Sequence, residues 1–153
     1  MIKKLDDILE QLKGGEKIVL SVAAAHDKEV LMAVEMARKE KIANAILVGD
    51  IEKTKEIAKS IDMDIENYEL IDIKDLAEAS LKSVELVSQG KADMVMKGLV
   101  DTSIILKAVL NKEVGLRTGN VLSHVAVFDV EGYDRLFFVT DAAMNLAPDT
   151  NTK

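Results

Sequence analysis

Short, uninterrupted apolar runs alternating with helical stretches constrain this chain most. Lys17-Ile18-Val19-Leu20-Ser21-Val22, Ala45-Ile46-Leu47-Val48-Gly49-Asp50, Tyr68-Glu69-Leu70-Ile71-Asp72 and Asp93-Met94-Val95-Met96 read as strands. Continuous runs of this kind suit strands covered on both faces, as in parallel sheets. The intervening segments carry apolar residues at helical spacing. Residues 4–12 place Leu5, Ile8, Leu9 and Leu12 on one face, and Gly14-Gly15 ends that helix. Asp27 is placed to cap a helix running to about Glu40, and further helices are expected over 51–61, 75–89 and 102–111. Strand and helix in alternation predict βαβ units, hence an α/β fold with a mostly parallel sheet. The last part changes character. Ser123–Val130 and Arg135–Thr140 are strand-like runs joined by Glu131-Gly132-Tyr133-Asp134, which reads as a hairpin. An antiparallel pair added to a parallel core predicts a mixed sheet, and 153 residues without a linker or repeat suit one domain.

Composition narrows the chemistry. The chain has no cysteine, which excludes disulfides, thiolate metal ligands and a cysteine nucleophile. A formal charge of −7 opposes a nucleic-acid backbone or an anionic membrane as main partner. A local group of donors could still hold an anionic small ligand. With aromatic residues at 3%, the core must be aliphatic. No apolar run approaches the length of a membrane span, and the first residues lack a signal-peptide core. The expected location is cytoplasmic.

Three segments carry groups suited to chemistry. Met96-Lys97-Gly98-Leu99-Val100-Asp101-Thr102-Ser103 joins a strand to a helix. A lysine, a glycine and hydroxyls at a helix start can cradle a phosphate through backbone N–H groups. The same residues also suit a turn at Gly98, a helix cap at Asp101, Thr102 or Ser103, and a solvated Lys97. Gly115-Leu116-Arg117-Thr118-Gly119-Asn120 leads to Leu122-Ser123-His124, offering a guanidinium fork for an anion and one of two histidines. His26, after Val22-Ala23-Ala24-Ala25, stands at another strand end. Finally, Thr140-Asp141-Ala142-Ala143-Met144-Asn145-Leu146-Ala147-Pro148-Asp149 puts acids, an amide and small residues after a strand-like run. Carboxyl ends of strands are where open α/β sheets bind ligands. Asp141 and Asp149 lack the companion ligands that a metal site needs.

Taken in order, Val22–Asp27, Ala45–Asp50, Ala92–Gly98, Leu122–His124 and Thr140–Asp149 resemble the phosphate acetyl/butyryltransferase family, and most closely its butyryl branch. The resemblance covers nearly the whole chain but only the amino-terminal part of that family's longer polypeptide. It implies a three-layer αβα sandwich like that of the isocitrate/isopropylmalate dehydrogenases, with an active cleft between two domains and commonly a homodimer. It also implies acyl transfer between coenzyme A and inorganic phosphate, without a metal or redox cofactor, the CoA thioester being a substrate. On this chain it would place Lys97, Gly98 and Thr102 on the acyl or phosphate side of the cleft. Ser123 and His124 would lie beside it, with Asp141 and Asn145 ordering its floor. The family's further Ser/Arg/Asp constellation falls in a region not represented here, so no direct catalytic residue is assigned. The alternatives are a long-chain phosphate acyltransferase of lipid synthesis and an α/β module that binds an acyl-CoA or acyl phosphate without turnover.

Overall fold

A computed structural model describes residues 2–12, 15, 18–120 and 122–140. It divides into two compact units: Gly15–Arg117, and Met1–Gly14 with Thr118–Lys153.

The larger unit holds four parallel strands: β1 (Ile18–Ala23), β2 (Ala43–Gly49), β3 (Glu69–Asp72) and β4 (Met94–Lys97). Their order across the sheet is β3-β2-β1-β4. Four helices of this unit connect or follow them: α2 (Lys28–Lys39), α3 (Ile51–Ser60), α4 (Leu76–Ser88) and α5 (Thr102–Val109). Each begins where a strand's carboxyl end has just been left.

The pleat sends alternate side chains to opposite faces, and both faces are covered. Leu20 and Val22 of β1, with Ala45 and Leu47 of β2, pack on Leu31 and Val34 of α2 and Ala58 of α3. On the other face, Ala23 and Val95 pack with Val84 of α4 and Ile105 and Ala108 of α5. Ile46 and Val48 meet Ala79 and Leu86 of α4 there. This is the expected three-layer αβα sandwich. Its two faces explain why the strands read as continuous apolar runs.

Acidic caps set the helix starts. The Asp27 carboxylate accepts from the backbone N–H of Glu29 and Val30, both at 3.0 Å. Asp50 accepts from Lys53 N–H at 3.2 Å, and Asp75 from Ala77 and Glu78 N–H at 2.9 Å. Each bond satisfies a helix-end donor that has no intrahelical partner. A short 3-10 turn at Ile65–Asn67, absent from the expectations above, leads into β3.

The smaller unit contains α1 (Leu5–Leu12) and an antiparallel pair, β5 (Val125–Phe128) and β6 (Phe137–Thr140). The hairpin forms where expected. It is, however, a separate two-stranded sheet, not an antiparallel addition to the parallel one. Turn chemistry specifies a hairpin locally, but nothing local specifies which edge it joins. Within this unit the Lys4 ammonium donates to Asp129 Oδ1 at 3.0 Å and to the Tyr133 carbonyl at 2.9 Å. Asp129 Oδ2 also accepts from Leu5 N–H at 3.0 Å. That backbone bond, with the Lys4 charge, holds the Asp129 carboxyl below its usual range.

Candidate functional site

Strand order identifies the place to look. Successive crossovers carry the chain from β1 outward to β2 and β3, and the next one returns it to the other side of β1 as β4. The carboxyl ends of β1 and β4 therefore flank a topological switch point, the usual ligand position in open α/β sheets.

At this edge the two strands stay joined beyond their ends. Ala23 pairs in register with Lys97. Gly98 N–H donates to the Ala23 carbonyl at 2.8 Å, and Leu99 N–H to the Ala24 carbonyl at 3.1 Å. A Cβ at position 98 would collide with both carbonyls, so only glycine permits this approach. Ala24 itself takes a left-handed conformation, φ 55°, where a side chain is disfavoured. The backbone thus seals the seam between β1 and β4. The opening moves to the side where α4 and α5 start.

That opening is a cavity of about 370 Å³ lined by Leu76, Lys97, Gly98, Leu99, Val100 and Asp101. The Lys97 ammonium donates to the carbonyls of Val100 at 2.9 Å and Gly98 at 3.3 Å. An ammonium has three donors, so these two bonds brace the loop and leave a third N–H. Asp101 occupies the N-cap position of α5, yet its side chain makes no capping bond. Asp27, Asp50, Asp64 and Asp75 all cap their helices. The first N–H groups of α5 are thus left without a side-chain acceptor, beside a lysine. Thr102 and Ser103 follow as exposed hydroxyls. A positive helix end, backbone donors and an ammonium around one small cavity are suited to an oxyanion such as phosphate.

Of the residues anticipated from the sequence, Lys97 and Gly98 line this cavity, and Thr102 follows as the first residue of α5 without lining it. Gly98 acts through its missing side chain. Ser123 and His124 belong to the smaller unit, where they are exposed residues leading into β5. Asp141 and Asn145 lie outside the described residues. Arg117 is exposed at the last position of the larger unit. His26 is half-buried at the β1 end, and its Nδ1 is shielded from solvent with no hydrogen-bond partner among the described residues.

Leu76 was not anticipated. It reaches the cavity from the start of α4, and only the crossover topology could have signalled it. A second unanticipated cluster lies on the opposite face of the sheet. Glu35 is buried and accepts from Arg38 Nε at 2.9 Å and Nη2 at 3.0 Å, and from the Tyr68 hydroxyl at 2.6 Å. The Arg38 bonds, aided by those of Tyr68 and Lys39, hold the Glu35 carboxyl down at about 2. Burial, then the neighbouring carboxylate, pushes the Tyr68 hydroxyl up. The i,i+3 spacing of Glu35 and Arg38 was the one signal of this cluster in the sequence.

A family model described as Phosphate acetyl/butaryl transferase matches residues 4–82 and 74–153. The chain is 55% identical over 153 residues to a phosphate butyryltransferase of Clostridium beijerinckii, covering 100% of this chain and 51% of that protein. It is 52% identical over the same length to a phosphate butyryltransferase of Clostridium acetobutylicum, again covering 51% of the relative. A branched-chain phosphotransacylase from Enterococcus faecalis has a similar structure, with a TM-score of 0.71 and 31% identity over 88% of this chain and 46% of that one. A phosphotransacetylase from Streptococcus pyogenes, 16% identical, shares the fold with a TM-score of 0.77 over 97% of this chain and 54% of that one. The chain spans about half the length of the curated relatives it matches.

Proposed function

The chain belongs to the phosphate acetyl/butaryl transferase family, and from that premise we propose that it is the amino-terminal part of a two-domain phosphate acyltransferase of the butyryl type. The reaction is reversible acyl transfer between coenzyme A and inorganic phosphate. A phosphate oxygen attacks the thioester carbonyl carbon, and a C–O bond forms as the carbonyl becomes a tetrahedral oxyanion. The C–S bond then breaks, its electron pair leaves with sulfur, and the CoA thiolate takes a proton from solvent. The products are an acyl phosphate and free CoA.

Such a site must hold a polyanion against a net charge of −7, stabilise the oxyanion and align two substrates. The observation that carries the reading is the uncapped start of α5 beside Lys97. There, preorganised donors surround a cavity at the sheet's switch point. In this reading Lys97, Gly98 and Thr102 bind the phosphate or acyl-phosphate group. Ser123, His124, Asp141 and Asn145 contribute further substrate contacts. We place the enzyme in the cytoplasm, consistent with the lack, among the described residues, of a helix long and apolar enough to cross a membrane. A homodimer is the proposed assembly.

Thiol release from butyryl-CoA in the presence of phosphate tests the reaction, with acetyl-CoA and a long acyl-CoA as comparisons. Fastest release from butyryl-CoA supports the reading, and preference for the long chain replaces it with a lipid-synthesis acyltransferase. Stabilisation by CoA or acyl phosphate without thiol release would instead make this chain a binding module. In the full-length enzyme Lys97→Ala is expected to weaken phosphate or acyl-phosphate use by at least about tenfold, the loss of one charge-assisted contact. Unchanged kinetics would remove Lys97 from the site.

A further inference from the structure

The turn after β1 is gripped between two glycines. Gly98, just beyond β4, approaches so closely that a Cβ there would lie 2.9 Å from the Ala24 carbonyl carbon. Gly49, the last residue of β2, stands on the other side with φ 155°. A Cβ at that position would lie 3.0 Å from His26 Nδ1, 3.1 Å from Ala25 N and 3.4 Å from Ala24 Cα. Between the two, Ala24 is fully buried at φ 55°. A residue with a side chain keeps that conformation only where its surroundings fix it. Ala25 N–H donates to the Val48 carbonyl at 3.1 Å, which ties the turn to β2. His26 Nδ1 has no hydrogen-bond partner among the described residues, so that side of the ring holds its place against Gly49 by packing.

We propose that Ala24 is a positioning residue for Lys97, fixed in its turn by the packing of His26 on Gly49. The proposal deepens the reading of the Lys97 cavity as a phosphate site and rests on it. The contacts form an unbroken chain. The Ala24 carbonyl accepts from Leu99 N–H at 3.1 Å. Leu99 is the centre of a tight turn, closed by Val100 N–H donating to the Gly98 carbonyl at 2.9 Å. The carbonyls of Gly98 and Val100, on either side of Leu99, are the two to which the Lys97 ammonium donates. Rotating Ala24 out of its left-handed turn would therefore withdraw the acceptor of Leu99 and shift both carbonyls that aim the ammonium. Donors fixed in advance bind an anion without first having to be ordered. The end of β2, which lines no part of the cavity, thus sets how well Lys97 is aimed.

Two glycine substitutions test this on the full chain, because both strain the backbone and only one touches the turn. Gly90→Ala meets φ 71° with nothing within 4 Å of the new Cβ, whereas Gly49→Ala meets φ 155° and the Ala24–His26 turn. The readouts are the dissociation constant of inorganic phosphate by calorimetry and the amide hydrogen exchange of Leu99. Gly49→Ala is expected to weaken phosphate binding by at least about fivefold, the cost of a misaimed group. Leu99 exchange should quicken at least about tenfold more than that of core amides such as Leu47, as a local opening requires. Gly90→Ala should leave phosphate binding within about twofold, whatever it costs in stability. His26→Ala removes the ring without straining the backbone, and phosphate binding about threefold weaker is expected from it, which keeps the test open if Gly49→Ala does not fold. Equal effects of Gly49→Ala and Gly90→Ala overturn the positioning role, since strain anywhere would then act alike. Unchanged phosphate affinity in Gly49→Ala and His26→Ala also overturns it and leaves the proposed function standing. Failure of the unsubstituted protein to bind phosphate removes the phosphate reading, and this role with it.

Discussion

The parallel sheet and the β5–β6 hairpin are built from similar residues yet differ in what covers them. Leu47 in β2 has no exposed surface beneath α2 and α3, and its neighbours Ile46 and Val48 are buried against α4 on the other face. Phe138 in β6 is 67% exposed, and Val125, Phe128 and Val139 are exposed with it. Both regions are rich in β-branched and aromatic or aliphatic residues, so propensity alone does not separate them. Burial in this fold therefore comes from crossovers. A parallel connection must pass over a face of the sheet, and its helix covers that face. A hairpin returns in the plane of its own sheet and covers nothing. The hairpin's order therefore depends on cross-strand pairs such as Val127 opposite Phe138, on the edge-on contact of the turn residue Tyr133 with Phe137 at 5.0 Å, and on the Lys4–Asp129 clip.

Truncating one residue from each region should separate them most clearly. Leu47→Ala removes a fully enclosed side chain and is expected to cost about 3 kcal/mol in urea unfolding, a usual figure for a buried leucine. Phe138→Ala should stay within about 0.5 kcal/mol, as for exposed positions. Equal losses would show that the hairpin face is covered as thoroughly as the sheet.

How far the sequence revealed these regions follows the same division. Every strand of the parallel sheet was legible, because burial on two faces leaves an unbroken apolar run such as Ala45–Val48. Their order was not, since pairing β4 with β1 joins residues as distant as Ala23 and Lys97. The hairpin was legible from Glu131-Gly132-Tyr133-Asp134, where Gly132 takes φ 87°. Its separation from the main sheet was hidden, because turn residues encode a reversal and not an attachment. At the site, Lys97, Gly98 and Thr102 were readable as one strand-to-helix connection. Leu76 was not, because the crossover brings it there from a segment with no distinguishing residues. Glu35 and Tyr68 were likewise too far apart in sequence to be paired by spacing.

That buried cluster supplies a smaller test confined to the sheet unit. Glu35 is held down to about 2, against an ordinary value of 4.5 in the unfolded chain. Its contribution to stability is thus fully present above about pH 4.5 and is lost as pH falls toward 2. The difference in unfolding free energy between the unsubstituted protein and Glu35→Gln should be on the order of 2 kcal/mol near pH 6, allowing for solvent relaxation around the ion pairs. It should shrink steadily over that acidic window. A difference independent of pH would mean that Glu35 acts through its shape and not its charge. No matching pH dependence is expected from truncating hairpin side chains such as Phe138.

The smallest expected effect compares two helix starts inside the sheet unit, and it bears most directly on the site. Asp75 caps α4 with two hydrogen bonds of 2.9 Å, whereas Asp101 holds the same position on α5 and makes none. Asp75→Ala should therefore cost about 1 kcal/mol, the ordinary value for a lost cap, and Asp101→Ala only a few tenths. Stability alone would then make Asp101 dispensable. Its carboxylate nonetheless sits on the wall of a cavity proposed to hold phosphate, where a negative charge opposes an anion. Asp101→Ala should accordingly tighten phosphate binding by a small factor, with little change in stability, while Asp75→Ala does the reverse. Equal stability losses from the two substitutions would show that Asp101 does cap α5. The helix end would then be occupied by its own side chain and would no longer be available to phosphate.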